Sequence, residues 1–255
     1  MIRMDNIHFV RDKRTILDNI SLAMEQGEHW VILGRNGSGK TTLLEMMNGY
    51  LFPTSGTVEV LGQRYGQVDV REVRKQIGYI SQSLIDKLTL RDPVWEVVAT
   101  GQYAFLRFYQ TIDPQVVAKA DQLLEEMGLA HVRNQPFGTL SQGERKKALL
   151  ARSLMSDPKL LIMDEICSGL DLYEREKLLD DIGRLAASTD RMIVYVTHHL
   201  EEIVPSFTHV ALLGNGRLLA AGKKEEALTP ANLEAAFGLP VKVLWENGRP
   251  WVTAV

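Results

Sequence analysis

Hydrophobic and polar positions change rhythm three times along this chain. In residues 1 to 33, Leu17, Ile20, Leu22 and Met24 are interleaved with polar neighbours, as in half-buried strands, and His29-Trp30-Val31-Ile32-Leu33 is a short apolar run suited to a buried strand. Thr57 to Leu61, bracketed by Gly56 and Gly62, and Ile77 to Ser81 read as further strands. From about Leu84 to Ser156 the spacing turns helical. Val94, Val97 and Val98 recur at helical intervals, as do Val116, Val117, Ala120, Leu123, Leu124 and Met127, and Asp113-Pro114 is a helix start. After Pro158 strands and helices alternate. Leu160 to Met163 and Met192 to Val196 are continuous apolar runs, the pattern of parallel strands buried on both faces, and the charged segment 173–185 between them predicts a crossover helix. A tail from about Thr229 predicts one more helix and strands near Val241 to Leu244. No repeat or low-complexity linker breaks the chain. The pattern is α/β, with a β-rich N-terminal part and a helical block, about 84–156, inserted into one domain spanning 1–255.

Between the strand at 29–33 and an apolar helix from Thr42 to Met47 lies Gly34-Arg35-Asn36-Gly37-Ser38-Gly39-Lys40-Thr41, the phosphate-loop pattern G-x-x-x-x-G-K-[ST]. Glycines let successive N–H groups turn inward onto phosphate oxygens, and the dipole of the following helix faces the same anion. Lys40 can reach the β- and γ-phosphates, Thr41 offers a hydroxyl to Mg²⁺, and Thr42 continues the helix start.

Composition narrows the setting. The chain has 255 residues, 45% hydrophobic and 24% charged, an ordinary soluble profile with room for a sizeable core. A net charge of −3 calls for neither nucleic acid nor an anionic membrane as partner. Cys167 stands alone, which excludes an intrachain disulfide and a cysteine metal cluster and agrees with a cytoplasmic address. No apolar run approaches the roughly 18 residues of a membrane span, and Met1 to Asn6 does not read as a secretory signal. Work at a membrane would need another chain for the passage.

A phosphate loop alone fits kinases, GTPases, helicases and transport ATPases. A second motif, Leu140-Ser141-Gln142-Gly143-Glu144, opens a helix about a hundred residues later. Ser141 sits at an N-cap, Gly143 allows close backbone approach, and the N–H groups beyond can face a second phosphate. Then comes Leu160-Leu161-Ile162-Met163-Asp164-Glu165, a strand ending in two carboxylates. Asp164 is placed to hold Mg²⁺ and Glu165 to act as general base on the attacking water.

Together these motifs resemble the ATP-binding cassette (ABC) family: phosphate loop, signature at 140–144 and Walker B strand at 160–165. Ser168-Gly169-Leu170-Asp171 resembles its D-loop, which crosses a dimer interface. Gln82, ending the strand Ile80-Ser81-Gln82, resembles the Q-loop glutamine that touches metal and water and couples to the membrane partner. His198, in Val196-Thr197-His198-His199, resembles the switch histidine on the γ-phosphate, and His199 is left to solvent. The motifs stand in family order, and the resemblance covers nearly the whole chain. It implies a P-loop NTPase core with an N-terminal antiparallel β subdomain and an inserted helical subdomain. It also implies a Mg²⁺-dependent ATPase in which two copies pair head to tail, each ATP lying between one chain's phosphate loop and the other's signature. Transmembrane permease subunits would be the further partners, with the chain peripheral at the inner face of the membrane.

Departures are few. Arg11 occupies the usual place of an aromatic that stacks on adenine; a guanidinium can also stack, with Phe9 then in the core. Ile166-Cys167 replaces the usual Pro-Thr, and His199 a common acidic residue. These changes, with 198–203, resemble molybdenum-transport and photorepair-type cassettes, whereas 228–240 resembles importers of ferric siderophores and cobalamin. A soluble, non-transport cassette in repair, cluster assembly or regulation is the alternative. A small-molecule kinase would leave 140–144 and the Asp164-Glu165 pair unexplained.

Overall fold

The computed structural model describes residues 1–109, 111–188 and 190–255; Gln110, inside the expected helical block, lies outside them. In chain order the strands are β1 (Ile2–Arg11), β2 (Arg14–Met24), β3 (Trp30–Leu33), β4 (Ser55–Val60), β5 (Gln63–Arg64), β6 (Ile77–Ile80), β7 (Leu160–Asp164), β8 (Met192–Thr197), β9 (His209–Gly214), β10 (Arg217–Lys223), β11 (Val241–Glu246) and β12 (Arg249–Ala254). The helices are α1 (Lys40–Met47), α2 (Val70–Arg74), α3 (Gln82–Ile85), α4 (Val94–Ala99), α5 (Pro114–Glu126), α6 (Gln142–Leu154), α7 (Leu172–Ser188), α8 (Lys224–Ala227) and α9 (Pro230–Phe237). The architecture is α/β, divided into two compact units, Met1–Arg74 with Gly183–Val255, and Lys75–Ile182.

The first unit holds an antiparallel sheet in the order β2-β1-β4-β5. Asp12 and Lys13, both at positive φ, make the tight turn that pairs Arg11 with Arg14. Leu17, Ile20, Leu22 and Met24 are all buried, as their spacing predicts. Phe9 departs from expectation. The β1–β2 register shifts on both sides of it, and Phe9 is half-exposed rather than in the core. Each of these two shifts puts an extra residue into β2, on either side of Leu17, and distorts the pairing opposite Phe9.

In the same unit β3 lies between β8 and β9, parallel to both, with β10 antiparallel on the outside of β9. All of β3 and β8 is buried, which is why both read as unbroken apolar runs. α1 follows β3 directly through Gly34–Gly39, and α9 packs on β9. The tail strands are the hairpin β11–β12.

The second unit pairs β6 with β7 in parallel and packs α4, α5 and α6 against one another. Asp113 caps α5 by accepting the Gln115 N–H, Pro114 takes its first position, and Val116, Ala120, Leu123 and Leu124 form its buried stripe. Gln82 is not the end of a strand. β6 stops at Ile80, Ser81 becomes an N-cap accepting the Leu84 N–H, and Gln82 opens the one-turn helix α3. Serine beside glutamine favours a cap over continued pairing, because the hydroxyl offers the backbone a local partner.

Candidate functional site

The phosphate loop is built around Lys40. Its side chain is 5% exposed and its Nζ donates to the carbonyl oxygens of Gly34 at 2.8 Å and Arg35 at 3.1 Å. The ammonium thereby spans the start of the loop it terminates. Gly39 caps α1 at φ 102°, a conformation glycine adopts without the penalty a Cβ brings. A Cβ at Gly34 would lie 2.4 Å from the Leu213 carbonyl oxygen, so β9 closes the loop's floor to any side chain. The turn after β9 backs the loop as well: Gly216 N–H donates to the Ser38 carbonyl at 3.2 Å, and Asp18 N–H to the Gly216 carbonyl at 2.8 Å.

Two features fit a phosphate. The first turn of α1 has no acidic side chain, which leaves its positive end open to an anion. Ser38 Oγ is buried with no hydrogen-bond partner among the described residues, a cost of about 1–3 kcal/mol that an incoming acceptor would relieve. Around it Arg35, Asn36, Gly37 and Thr41 are exposed and Thr42 is half-buried at the mouth of the loop. Gly238, at the end of α9, would place a Cβ 3.5 Å from Arg35 Nη1.

On β1 the Arg11 guanidinium sits 5.7 Å from the centroid of the Phe9 ring. Residue 11 is exposed, so the pair forms a surface plane of guanidinium backed by an aromatic.

The signature helix α6 begins with a complete capping box. Glu144 N–H donates to Ser141 Oγ, and the Glu144 carboxylate accepts from both the Ser141 N–H and its hydroxyl. The remaining first-turn N–H groups, of Gln142 and Gly143, have no acceptor within the helix. Gly143 is buried, and a Cβ there would meet Glu174 Oε2 at 2.2 Å. Glu144 itself escaped the sequence reading, although S-x-x-E before an apolar run is its signal.

At the end of β7, Asp164 and Glu165 are both half-buried. Glu165 has φ 47°, left-handed for a non-glycine residue, so the chain leaves the strand between the two carboxylates. Such a backbone is found where the surroundings enforce it, commonly at working sites. Ser168 N–H donates to the Glu165 carbonyl at 3.0 Å, and Asp171 Oδ1 caps α7 by accepting the Glu174 N–H at 2.9 Å. Gln82 is exposed and donates its amide nitrogen to Asp86 Oδ1 at 2.9 Å, which leaves its oxygen for another partner.

His198 follows β8, half-buried, its ring 4.1 Å from that of His199. His199 is exposed, with Nδ1 3.4 Å from Glu201 Oε1.

Among the described residues no group of three or more His, Cys, Asp or Glu could hold a metal ion. The oxygen donors of Thr41, Gln82 and Asp164 are nevertheless of the hard type that suits Mg²⁺, an ion usually held by one or two carboxylates together with substrate phosphates. No described helix is long and apolar enough to cross a membrane.

Residues 17–168 match the ABC transporter family. The chain is 42% identical over 255 residues to an uncharacterized ABC transporter ATP-binding protein of Bacillus subtilis, covering 99% of this chain and 97% of that one. A second such protein, from Lactococcus lactis, is 36% identical over 244 residues, covering 95% and 94%. Among solved structures, an ATP-binding cassette of an ABC transporter in its ADP conformation superposes with a TM-score of 0.80 at 25% identity, covering 93% of this chain and 98% of that chain. With the phosphate loop, signature and Walker B carboxylates in place, the chain belongs to the ABC transporter family, as an ATP-binding, ATP-hydrolysing subunit.

Proposed function

We propose that two copies of this chain clasp two ATP molecules and drive separate transmembrane permease subunits from the inner face of the membrane. One observation carries this reading: a single chain has two separately built helix starts able to take an anion, α1 behind the phosphate loop and α6 behind Ser141 and Gly143. One nucleotide has no use for both in the same chain, whereas a head-to-tail pair uses both twice. In this reading the chain is one cassette, with the helical insert of about 84–156 offering the permease its docking face.

The residues divide the work. Gly34 to Thr42 wrap the β- and γ-phosphates, and Lys40 exchanges its loop carbonyls for phosphate oxygens. Ser141 caps α6 so that the unbonded N–H groups of Gln142 and Gly143 face the partner's γ-phosphate, and Asp171 lies at the junction between copies. Arg11 carries the base. Thr41, Gln82 and Asp164 are the donors for Mg²⁺, which when bound offsets charge on the β- and γ-phosphate oxygens. Glu165 takes a proton from the attacking water, and His198 contacts the γ-phosphate.

Two experiments test it. Glu165→Gln should bind ATP without turning it over, and should shift from monomer to dimer on size-exclusion chromatography when ATP is added. A persistent monomer would remove the paired arrangement. A tagged chain should co-purify with an integral membrane protein that stimulates its ATPase; recovery of soluble partners only would overturn the transport role.

A further inference from the structure

Immediately behind His198 lies a buried carboxylate that the catalytic reading does not use. β8 ends at Thr197, and a 3₁₀ turn, Leu200–Glu202, carries the chain back so that Glu202 is only 3% exposed. Tyr195 donates its hydroxyl to Glu202 Oε2 at 2.7 Å, and Thr197 donates its own to the same oxygen at 2.5 Å. Thr197 Oγ1 also accepts the His199 N–H at 3.0 Å. The threonine hydroxyl thus spends its single proton on Glu202 and a lone pair on the backbone just past His198. Thr197 is tied directly to the buried Glu202 oxygen, and the His199 backbone is tied to it through the Thr197 hydroxyl.

The turn carrying Glu202 is held from outside as well. In the C-terminal hairpin, Arg249 donates its Nε to the Glu201 carbonyl. Lys224 Nζ donates to the carbonyls of Pro205 at 3.2 Å and Gly248 at 2.9 Å, joining the far end of the same segment to the hairpin turn. Burying a carboxylate costs free energy unless its hydrogen bonds are made, so a satisfied one is a rigid anchor.

We infer that Glu202 is the positioning residue of His198, acting through Thr197 to fix the backbone from which the histidine reaches the γ-phosphate. This rests on the role given to His198 above. Glu202 touches no reacting atom; it sets where His198 stands.

The test compares steady-state ATPase kinetics of Thr197→Val, Thr197→Ser, Glu202→Met and His198→Ala with melting temperatures of each. Thr197→Val and Glu202→Met, which remove the donor and the acceptor of this link, should lower kcat by on the order of ten- to a hundred-fold, the cost of misplacing a group by about 1 Å, with KM for ATP little changed. Thr197→Ser, which keeps the hydroxyl, should restore kcat. Added to His198→Ala, neither variant should slow the enzyme further. If His198→Ala itself turns over normally, the role of the histidine falls. If His198→Ala is slow while folded Thr197→Val and Glu202→Met run at the parent rate, or if their losses multiply with that of His198→Ala, the positioning role falls and the histidine's stands. Should Thr197→Val not fold, Glu202→Met, close in length to the parent and without the acceptor oxygen, gives the same readings.

Discussion

The Glu144 carboxylate takes both hydrogens that Ser141 offers: the backbone N–H at 2.8 Å and the hydroxyl at 2.7 Å, each on Oε2. The Ser141 hydroxyl bond is the first cause holding the Glu144 carboxyl below its ordinary pKa, followed by the Ser141 backbone bond; burial pushes the other way, and His131 adds a smaller downward pull. A carboxyl whose folded pKa is depressed stabilises the fold fully above its unfolded value and loses that contribution as pH falls through the folded one. Glu144→Ala should therefore lower stability by about 1 kcal/mol at pH 7, the usual worth of a helix cap. The gap in melting temperature between parent and variant should narrow as pH drops below about 4.3, the ordinary glutamate value. Thermal melts of both proteins across pH 7 to 3 check this.

Lys40 braces the phosphate loop in the free chain and is proposed to supply charge to the phosphates in the loaded one. Its Nζ sits on the carbonyls of Gly34 and Arg35, so Lys40→Ala removes both the loop's internal brace and the cation meant for the phosphates. ATP hydrolysis should fall by roughly a hundred-fold or more, the usual loss when one preorganised charge-stabilising donor is deleted. Phosphate release measured at saturating ATP reads it directly.

The legible parts of this site were those whose information is local. The phosphate loop lies between β3 and α1, Ser141 caps α6, and Asp164 ends β7 directly before Glu165, each feature within eight consecutive residues. Phe9 was misplaced because a strand aromatic is usually buried, and nothing in β1 shows that extra residues in β2, on either side of Leu17, distort the pairing opposite it. Gln82 was misplaced because a single helical turn is too short to show a period, and Ser81 reads as a strand residue until its hydroxyl caps that turn. Glu202 was invisible for another reason. Glu201 and Glu202 are adjacent and chemically alike, and only the 3₁₀ turn decides that the second meets Tyr195 and Thr197 in the interior.

Arg11 and Phe9 together make a testable base platform. With the guanidinium 5.7 Å from the ring centroid and facing solvent, a nucleobase would stack on the cation and leave its hydrogen-bonding edge unread. An exposed contact of this type is worth about 0.5–1 kcal/mol, so Arg11→Ala should weaken ATP binding by roughly two- to five-fold. GTP should compete with ATP about equally in the parent. Displacement of a fluorescent ATP analogue by each nucleotide measures both; strong ATP preference would mean that other groups read the base.

Ser141→Arg separates the two anion-receiving helix starts from one another. The substitution abolishes the capping box and sets a long side chain where the partner's γ-phosphate is proposed to arrive, yet it leaves Gly34 to Thr41 of its own chain unchanged. In a mixed pair of one Ser141→Arg copy and one parent copy, the site formed by the parent's phosphate loop and the altered signature should fail. The opposite site should keep its full set of groups. A mixed pair of Ser141→Arg with Lys40→Ala then discriminates sharply. Both lesions fall on one site when they sit on different chains and on both sites when they share one. Two lesions on different chains should therefore leave one intact site and measurable ATPase if the sites work independently. The same two lesions in a single chain, paired with a parent copy, should damage both. Tagging the copies differently and purifying the mixed pair before measuring phosphate release gives the comparison. Equal activity in the two arrangements would show that Ser141 and Lys40 do not meet across copies.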